Sequence, residues 1–287
     1  MRKLLHCIII SFILIYSSSH QANAQRSHMC SNGIIQKLEE WCQTIKENGY
    51  QVVRIESDII FKNKPKEITR KLIKGKSYTV FTVANGDRVS DIDLFVYKKS
   101  GEDWVLVDKD DDQTNISIVR GITPEESGDY KFVVNAYSFK DNNNAGHYAL
   151  ILAHDDCLNC SHLSNNGIMS NLKYIVCQLE TEELEVVHIE SDILMNSPKE
   201  IYRTLDKNYS YRIAALSSDR IEDVDLEVYR KVDGSWKSIG KDDDFTNVAV
   251  VDVKPTTTIE YKFVVTAFKF ASESKKSGHY ALIFFHD

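Results

Sequence analysis

The sequence contains little proline and little glycine, with 4 and 12 among 287 residues. Collagen-like chains and flexible linkers need far more of both, so these classes are excluded. Basic side chains are also the minority, because 35 Lys and Arg residues stand against 42 Asp and Glu residues. A formal charge of −7 lacks the basic excess that phosphate binding requires, which excludes nucleic acid as the main partner. With 43% hydrophobic residues, the chain is apolar enough to fold.

Long apolar runs are missing as well. The run at residues 4–16 is shorter than the roughly 20 residues of a membrane-spanning helix. It follows Arg2 and Lys3 and precedes the small residues of Ala22-Asn23-Ala24. A positive start, a short apolar run and small residues at a cleavage site are typical of a secretory signal peptide. We therefore predict that residues 1–24 are removed and that the protein is secreted, or periplasmic in a Gram-negative source, without a transmembrane segment.

Five cysteines, an odd number, follow the predicted signal peptide. An exported protein favours disulfides over metal thiolates. The chain has only one CxxC pair and no βαβ pattern around it, which argues against a zinc or thioredoxin-like site. We expect one or two structural bridges and one free thiol, with the pairing left open. The candidates are Cys30, Cys42, Cys157, Cys160 and Cys177.

The chain is a tandem repeat. The segment at residues 91–94 recurs at 223–226, an offset of 132, and the same offset relates 146–148 to 278–280. Upstream, Glu56 matches Glu190 with an offset of 134. Self-similarity at this distance indicates two copies of one structural unit. We predict a signal peptide at 1–24, a first repeat at 25–155 and a second at 156–287.

Each copy begins with a helical pattern and continues with strand patterns. Apolar residues three and four apart predict one amphipathic helix near residues 34–45 and another near 168–179. Alternating β-branched and aromatic residues then predict short strands separated by turns. The fold class is therefore mainly β, with two tandem antiparallel β-sandwiches of jelly-roll type, each preceded by a short helix. The clearest strands of the first copy are 78–83, 92–97, 130–134 and 148–152.

Acidic residues gather on one hairpin of each copy. If the hairpin turn is centred between residues 100 and 101, Asp91 lies opposite Asp110 and Asp93 lies near Asp108. Alternate residues on a strand share a face, so these carboxylates meet at the open end of the hairpin. The candidate metal ligands are Asp91, Asp93, Asp110, Asp111 and Asp112 in the first copy, and Asp223, Asp225, Asp242, Asp243 and Asp244 in the second.

Two interpretations of these clusters remain open. Like charges opposite each other destabilise paired strands, and a calcium ion, which takes oxygen ligands, would remove that penalty. The alternative is a solvated acidic loop in which Asp91 and Asp223 cap backbone amides of a turn. Neither cluster has the spacing of a helix-loop-helix calcium loop. No cofactor is certain, and calcium is the one that the residues suggest.

Catalytic signals are weak. The chain has no G-x-S-x-G motif, and neighbouring aspartates without a cleft are poor evidence for glycoside hydrolysis. Both copies keep the same acids, which suits repeated binding better than a single active site. We assign no catalytic residue. Trp104 and Trp236 are interpreted as packed residues or as an exposed ligand platform, and Arg70 and Arg203 as solvated strand positions.

The strand motifs resemble the bacterial pre-peptidase C-terminal (PPC) domain, related to the collagen-binding domains of collagenases. The resemblance rests on segments 75–78, 91–97, 110–112, 127–134 and 146–150, and on their counterparts at 223–229, 242–244, 261–265 and 278–282. The second copy departs from the pattern at Ile259-Glu260, where a glycine would be expected. The helical segments lie outside the resemblance.

The resemblance implies a jelly-roll-like sandwich that serves as a non-catalytic accessory or binding module of exported enzymes. It also implies calcium binding by acids that enter the first strand, where this chain has Glu56 and Asp58, and Glu190 and Asp192. No protease domain accompanies the two modules in this sequence. We therefore expect a secreted, non-enzymatic protein that recognises an extracellular protein or polysaccharide. The alternatives are a small secreted hydrolase that uses the acidic cluster, and a structural matrix component.

Overall fold

The computed structural model describes residues 33–155 and 166–286, apart from residues 183 and 275. The predicted signal peptide and Cys30, Cys157 and Cys160 lie outside the described residues. The first repeat comprises α1 (Gly33–Glu47), β1 (Gln51–Phe61), β2 (Lys66–Leu72), β3 (Tyr78–Ala84), β4 (Val89–Ser100), β5 (Asp103–Asp110), β6 (Ile116–Ile122), β7 (Gly128–Phe139) and β8 (Ala145–His154). The second comprises α2 (Asn166–Thr181), β9 (Glu185–Leu194), β10 (Lys199–Leu205), β11 (Tyr211–Ser217), β12 (Ile221–Val232), β13 (Ser235–Asp242), β14 (Val248–Val253), β15 (Ile259–Phe270) and β16 (Gly278–His286).

The two repeats share one eight-stranded antiparallel sheet in the order β14-β11-β16-β9-β1-β8-β3-β6. Each repeat also has a four-stranded sheet of its own, in the orders β2-β7-β4-β5 and β10-β15-β12-β13. The predicted class, mainly β with tandem antiparallel β-sandwiches, is confirmed. Merging of the two sandwiches through β1 and β9 was not foreseen.

The helices cover one face of the eight-stranded sheet. The apolar stripe of α1, which includes Ile34 and Leu38, packs with Ile168 and Leu172 of α2 and with side chains from both halves of the sheet. This helix-side core therefore belongs to both repeats at once. The two predicted amphipathic helices are confirmed.

The opposite face of the eight-stranded sheet carries the two four-stranded sheets. Along β8, Ala149 and Ile151 face the helices, whereas Tyr148 and Leu150 face the core of the first sandwich. Strand β16 repeats this arrangement in the second sandwich. Because these central strands are buried on both faces, they are apolar along nearly their whole length.

Two equivalent glycines mark a close approach in each sandwich. A Cβ atom on Gly146 would lie 2.6 Å from Cγ2 of Val89, and one on Gly278 would lie 2.8 Å from Cγ1 of Ile221. Only glycine lets β8 and β16 pass the first residues of β4 and β12 at this distance.

Candidate functional site

Two regions bring charged side chains together, and the first is the junction of the repeats. Strands β1 and β9 pair over four residues on each side, and Glu56 lies directly opposite Glu190. These two glutamates occupy equivalent repeat positions, so the junction has a local two-fold axis that passes between them. On the sandwich side of β1 and β9, between the two four-stranded sheets, lies what we call the junction cluster. It consists of Arg54, Glu56, Asp58, Lys66, Arg70, His188, Glu190, Asp192, Lys199 and Arg203.

Arg54 is the central cation of the junction cluster. Its side chain is only 8% exposed, and its Nη2 lies 2.7 Å from Oε1 of Glu190. Its Nη1 donates to Oδ2 of Asp192 at 3.0 Å, and Nη2 is 3.4 Å from Oε2 of Glu56. Burial alone would lower the pKa of Arg54, but these carboxylates raise it. One side chain of the first repeat thus holds two carboxylates of the second.

The second repeat places His188 where the first has Arg54. His188 is 5% exposed, with Nδ1 3.7 Å from Oδ2 of Asp58 and Nε2 4.0 Å from Oε2 of Glu190. Because histidine is shorter than arginine, Arg203 reaches Asp58 as well, with Nη1 3.3 Å from Oδ2. The equivalent Arg70 instead donates to Glu56 at 2.8 Å. Because the first repeat has Arg54 where the second has His188, the ion-pair pattern of the junction is asymmetric.

The pKa values of Glu190 and Asp58 are lowered by the cationic side chains around them. Burial would raise the pKa of Glu190, but the neighbouring His188 and the charge of Arg54 lower it to about 2. Burial would likewise raise the pKa of Asp58, and Arg203, His188 and Lys66 lower it. A carboxylate held in its charged form is a poor general acid, so Glu190 and Asp58 act as ion-pair partners and do not resemble an acid–base pair.

The resemblance implied calcium at Glu56, Asp58, Glu190 and Asp192, and the junction does not fit that ion. Each of these carboxylates lies within 3.3 Å of an arginine or lysine nitrogen. We interpreted Arg70 and Arg203 as solvated strand positions, and the structure corrects this. Their side chains are only 29% and 25% exposed, and both form ion pairs in the junction cluster. The sequence signal that was missed is the run of alternate charged residues 54, 56 and 58 along an otherwise apolar strand.

The second charged region is the predicted acidic cluster, and its hairpin register differs from the prediction. Ser100 pairs with Asp103, and an extra residue in β5 places Asp110 opposite Leu94. Asp91 lies opposite Ser138 of β7 instead of opposite Asp110. The reason is a turn that closes one residue later than assumed, followed by a β-bulge, and neither is visible in the strand pattern.

Asp110 and Asp242 brace the loops that follow β5 and β13. Oδ2 of Asp110 accepts from the amide of Ile118 at 2.7 Å, and Oδ1 accepts from the amide of Asp112 at 3.2 Å. Asp242 repeats both contacts with Val250 and Asp244. Asp110 and Asp242, which the capping interpretation did not name, therefore cap backbone amides of these loops.

Asp91 and Asp223 are the deeply buried members, at 6% and 2% exposure. Each accepts a backbone hydrogen bond, from Thr114 and Thr246 respectively. In each, Oδ1 has no hydrogen-bond partner within the part of the chain that the structure describes. Burial raises the pKa of both carboxyls.

The other acids of the cluster differ in their surroundings. Burial and then the charge of Asp91 raise the pKa of Asp93, and Asp225 behaves in the same way beside Asp223. Asp111 forms an exposed ion pair with Lys109. Among the residues that the structure describes, no group of three or more His, Cys, Asp or Glu is arranged to hold a metal ion. Calcium binding, including at Asp112 and Asp244, stays a prediction.

Exposed aromatic side chains accompany the acidic region of each repeat. In β7, Asp91 pairs with Ser138 and Ile92 pairs with Ala136, so Tyr137 is the extra residue of a β-bulge. In β15, Phe268 is the extra residue at the equivalent bulge. Tyr137 and Phe268 are 68% and 72% exposed. We call these regions the acidic ends, and define them by residues 91–93, 110–113 and 137 in the first repeat and 223–225, 242–245 and 268 in the second.

The tryptophans of the hairpins are packed beneath lysines. Nζ of Lys131 lies 5.1 Å from the ring centroid of Trp104, and Nζ of Lys262 lies 5.7 Å from that of Trp236. Trp236 also contacts the Tyr202 ring. These contacts favour the packed interpretation over an open ligand platform.

The cysteines of the helices differ in state. Cys42 is a free thiol, buried in the helix-side core, which corrects its assignment as a disulfide candidate. Burial, with a contribution from Glu39, raises its pKa to about 12. Cys177 is disulfide-bonded. No helix of the described segments has the length and apolar character to cross a bilayer.

No protein-family model matches the sequence, and no curated protein matches it either. Several solved structures are weakly similar to this chain. The PBSX exported protein XepA is 8% identical with a TM-score of 0.27, covering 83% of this chain and 85% of that one. The tandem CBM51 modules of Sp3GH98, the family 98 glycoside hydrolase from Streptococcus pneumoniae SP3-BS71, are 12% identical with a TM-score of 0.25, covering 79% and 83%.

A third solved structure is PliG of Aeromonas hydrophila, a periplasmic inhibitor of g-type lysozyme. It is 15% identical with a TM-score of 0.24, covering 37% of this chain and 89% of that one. At these identities and TM-scores, none of the three carries an argument about what this chain binds. The chain's own strand pairing establishes it as a mainly β protein of two sandwiches joined in one sheet.

Proposed function

We propose that this protein is an exported, non-catalytic binding protein whose two repeats bridge two partner sites. The observation that carries the proposal is the antiparallel pairing of β1 with β9, centred on the equivalent residues Glu56 and Glu190. A two-fold axis at this position makes corresponding ends of the two repeats point in opposite directions along the strands. The acidic ends therefore face away from each other.

The extensive junction between the repeats supports a bridging function. It argues against independent binding by two flexibly linked modules. The repeats share eight strands and a common helix-side core, and the junction cluster ties the sandwich side together. Two sites held at fixed distance gain avidity only on an extended or repeated partner. An extracellular polymer or an array of protein molecules has that form.

The acidic residues support binding over hydrolysis. The junction carboxylates are ion-paired, and the acidic ends occur in two equivalent copies in which Asp110 and Asp242 brace loops. This leaves the PPC-like role of a binding module as the function that best accounts for the chain, with hydrolysis and a purely structural matrix role as alternatives.

Agglutination tests the proposal. Beads coated separately with a random peptide library, peptidoglycan, chitosan or fibrillar collagen are mixed with the purified protein and followed by light scattering. We expect at least one coated bead to aggregate, and we expect the Phe245→Ser, Phe268→Ser double variant to bind that bead without aggregating it. Failure to bind any coating would overturn the proposal, and release of soluble fragments from a coating would favour the hydrolase.

A further inference from the structure

The acidic end of the second repeat has a larger apolar surface than that of the first. Phe245, in the loop after β13, is 63% exposed and joins the 72% exposed Phe268 at this end. The first repeat has Gln113 at the position of Phe245. Two exposed phenylalanines on a folded domain are costly to leave in water, and such residues mark interaction sites.

Strand alternation points Phe268 outwards, and the β-bulge exposes Lys269 beside it. Positions 261, 263 and 265 of β15 are buried and 262, 264 and 266 are not, so Phe268 belongs to the outward-facing series. The extra residue interrupts this alternation, and Lys269 is exposed as well. Phe268 lies between Ala267 and Lys269, which pair with Val224 and Asp223. Lys269 then places its Nζ 5.0 Å from the Phe245 ring and 2.7 Å from Oε2 of Glu222. The two phenylalanine segments are thus held at one end of the sandwich.

Negative charge surrounds this apolar surface. Lys241 and Lys269 offset Asp243 and Glu222 at 2.7 Å each. The other carboxylates of this end are those of Asp223, Asp225, Asp242 and Asp244. Asp223 is 2% exposed, and its Oδ1 has no hydrogen-bond partner within the described residues. A buried carboxylate with one unsatisfied oxygen, among other acidic side chains, favours a cation as its neighbour.

We infer that the acidic end of the second repeat binds a cationic protein segment, with an apolar side chain of that segment seated on Phe245 and Phe268. Basic side chains of the partner face the acidic rim, which supplies charge complementarity. The acidic end of the first repeat, with Tyr137 alone, is the weaker of the two sites. The inference rests on the proposed function and names the partner class for one of its two sites.

The side chains favour a protein segment over a polysaccharide. Phenylalanine has no polar group with which to orient sugar hydroxyls, whereas tyrosine and tryptophan do. Trp104 and Trp236, the tryptophans of the hairpins, each have a lysine side chain over the ring. An apolar anchor ringed by charge is the usual make-up of a protein–protein contact.

Selection from a displayed random peptide library tests the inference. We expect selected peptides to be enriched in Lys and Arg around one aromatic or aliphatic residue, and their binding to weaken with salt. The Phe245→Ser, Phe268→Ser double variant should lose at least about tenfold in affinity. Tyr209→Ser is the matched control, because Tyr209 is 41% exposed but lies beside His286 at the opposite end of the sandwich.

The outcomes separate this inference from the proposed function. Peptides without a basic bias, or peptides that bind the double variant as well as the parent, would overturn the inference and leave the binding function standing. Binding of chitosan or peptidoglycan with no selected peptide would also overturn it in favour of a polysaccharide. If neither peptide nor polysaccharide binds, the proposed function fails as well. Unchanged melting temperatures of the variants show that lost affinity is not lost folding.

Discussion

Glu56 and Glu190 occupy equivalent positions in the two repeats and lie directly opposite each other where β1 pairs with β9. Two carboxylates in this arrangement repel each other unless a cation is shared between them. Arg54 is that cation, since its Nη2 lies 3.4 Å from Oε2 of Glu56 and 2.7 Å from Oε1 of Glu190. The joining of the two sandwiches therefore depends on a residue that the second repeat does not duplicate.

Replacement of Arg54 by methionine should destabilise the whole chain. The change keeps much of the side-chain volume but leaves Glu190 and Asp192 without their buried partner. We expect the free energy of unfolding, measured with urea, to fall by about 3 kcal/mol. The control is Lys241→Ala, which breaks the exposed ion pair with Asp243 and should leave the urea midpoint unchanged. Equal stability of the Arg54 variant and the parent would show that the junction is held by packing alone.

Acid should weaken the junction only at low pH. The pKa of Glu190 is lowered from 4.5 to about 2, so its contribution to stability is complete above the unfolded-state value and is lost as the pH falls towards 2. The Glu190→Gln variant should be less stable than the parent at pH 7 and approach it near pH 2. Urea midpoints measured between these pH values check this. A constant difference across the range would contradict it.

Asp91 and Asp223 should change stability with pH in the direction opposite to Glu190, because their pKa values are raised and not lowered. Burial raises their pKa above 3.8, so their favourable contribution is present below that value and is lost as the pH rises through the folded-state pKa. The Asp91→Asn, Asp223→Asn variant should therefore be more stable than the parent at pH 7 in EDTA, by about 1 kcal/mol. Differential scanning calorimetry at pH 7 and at pH 3 measures the difference.

The same variant tests the calcium prediction. If millimolar calcium raises the melting temperature of the parent and not that of the Asn variant, the acidic ends bind the ion. If calcium and EDTA give the same melting curve for both proteins, the acidic ends do not bind calcium.

Cys42 should resist thiol reagents in the folded protein. Its thiol is 4% exposed, and its pKa of about 12 leaves almost no thiolate at pH 8. We expect iodoacetamide to modify Cys42 only after urea is added, as followed by peptide mass spectrometry. Rapid labelling without denaturant would mean that α1 leaves the sheet in solution.

The duplication, the mainly β class, the two helices and the principal strands follow from the sequence itself. Each depends on local periodicity or on self-similarity along the chain, and the apolar alternation of residues such as Tyr148 and Ile151 records both buried faces of a central strand. The acidic residues were also found from the sequence, because their spacing is local.

Tertiary structure alone decided how the copies are joined and which charges meet. Arg54 reaches Asp192 across 138 residues of sequence, and Arg203 reaches Asp58 across 145. Pairing of β1 with β9 depends on the edges that the folded sandwiches leave open, and the bulges at Tyr137 and Phe268 depend on strand register. Such long-range geometry leaves no periodic trace, so a pattern of residues cannot determine which strands or charges lie side by side.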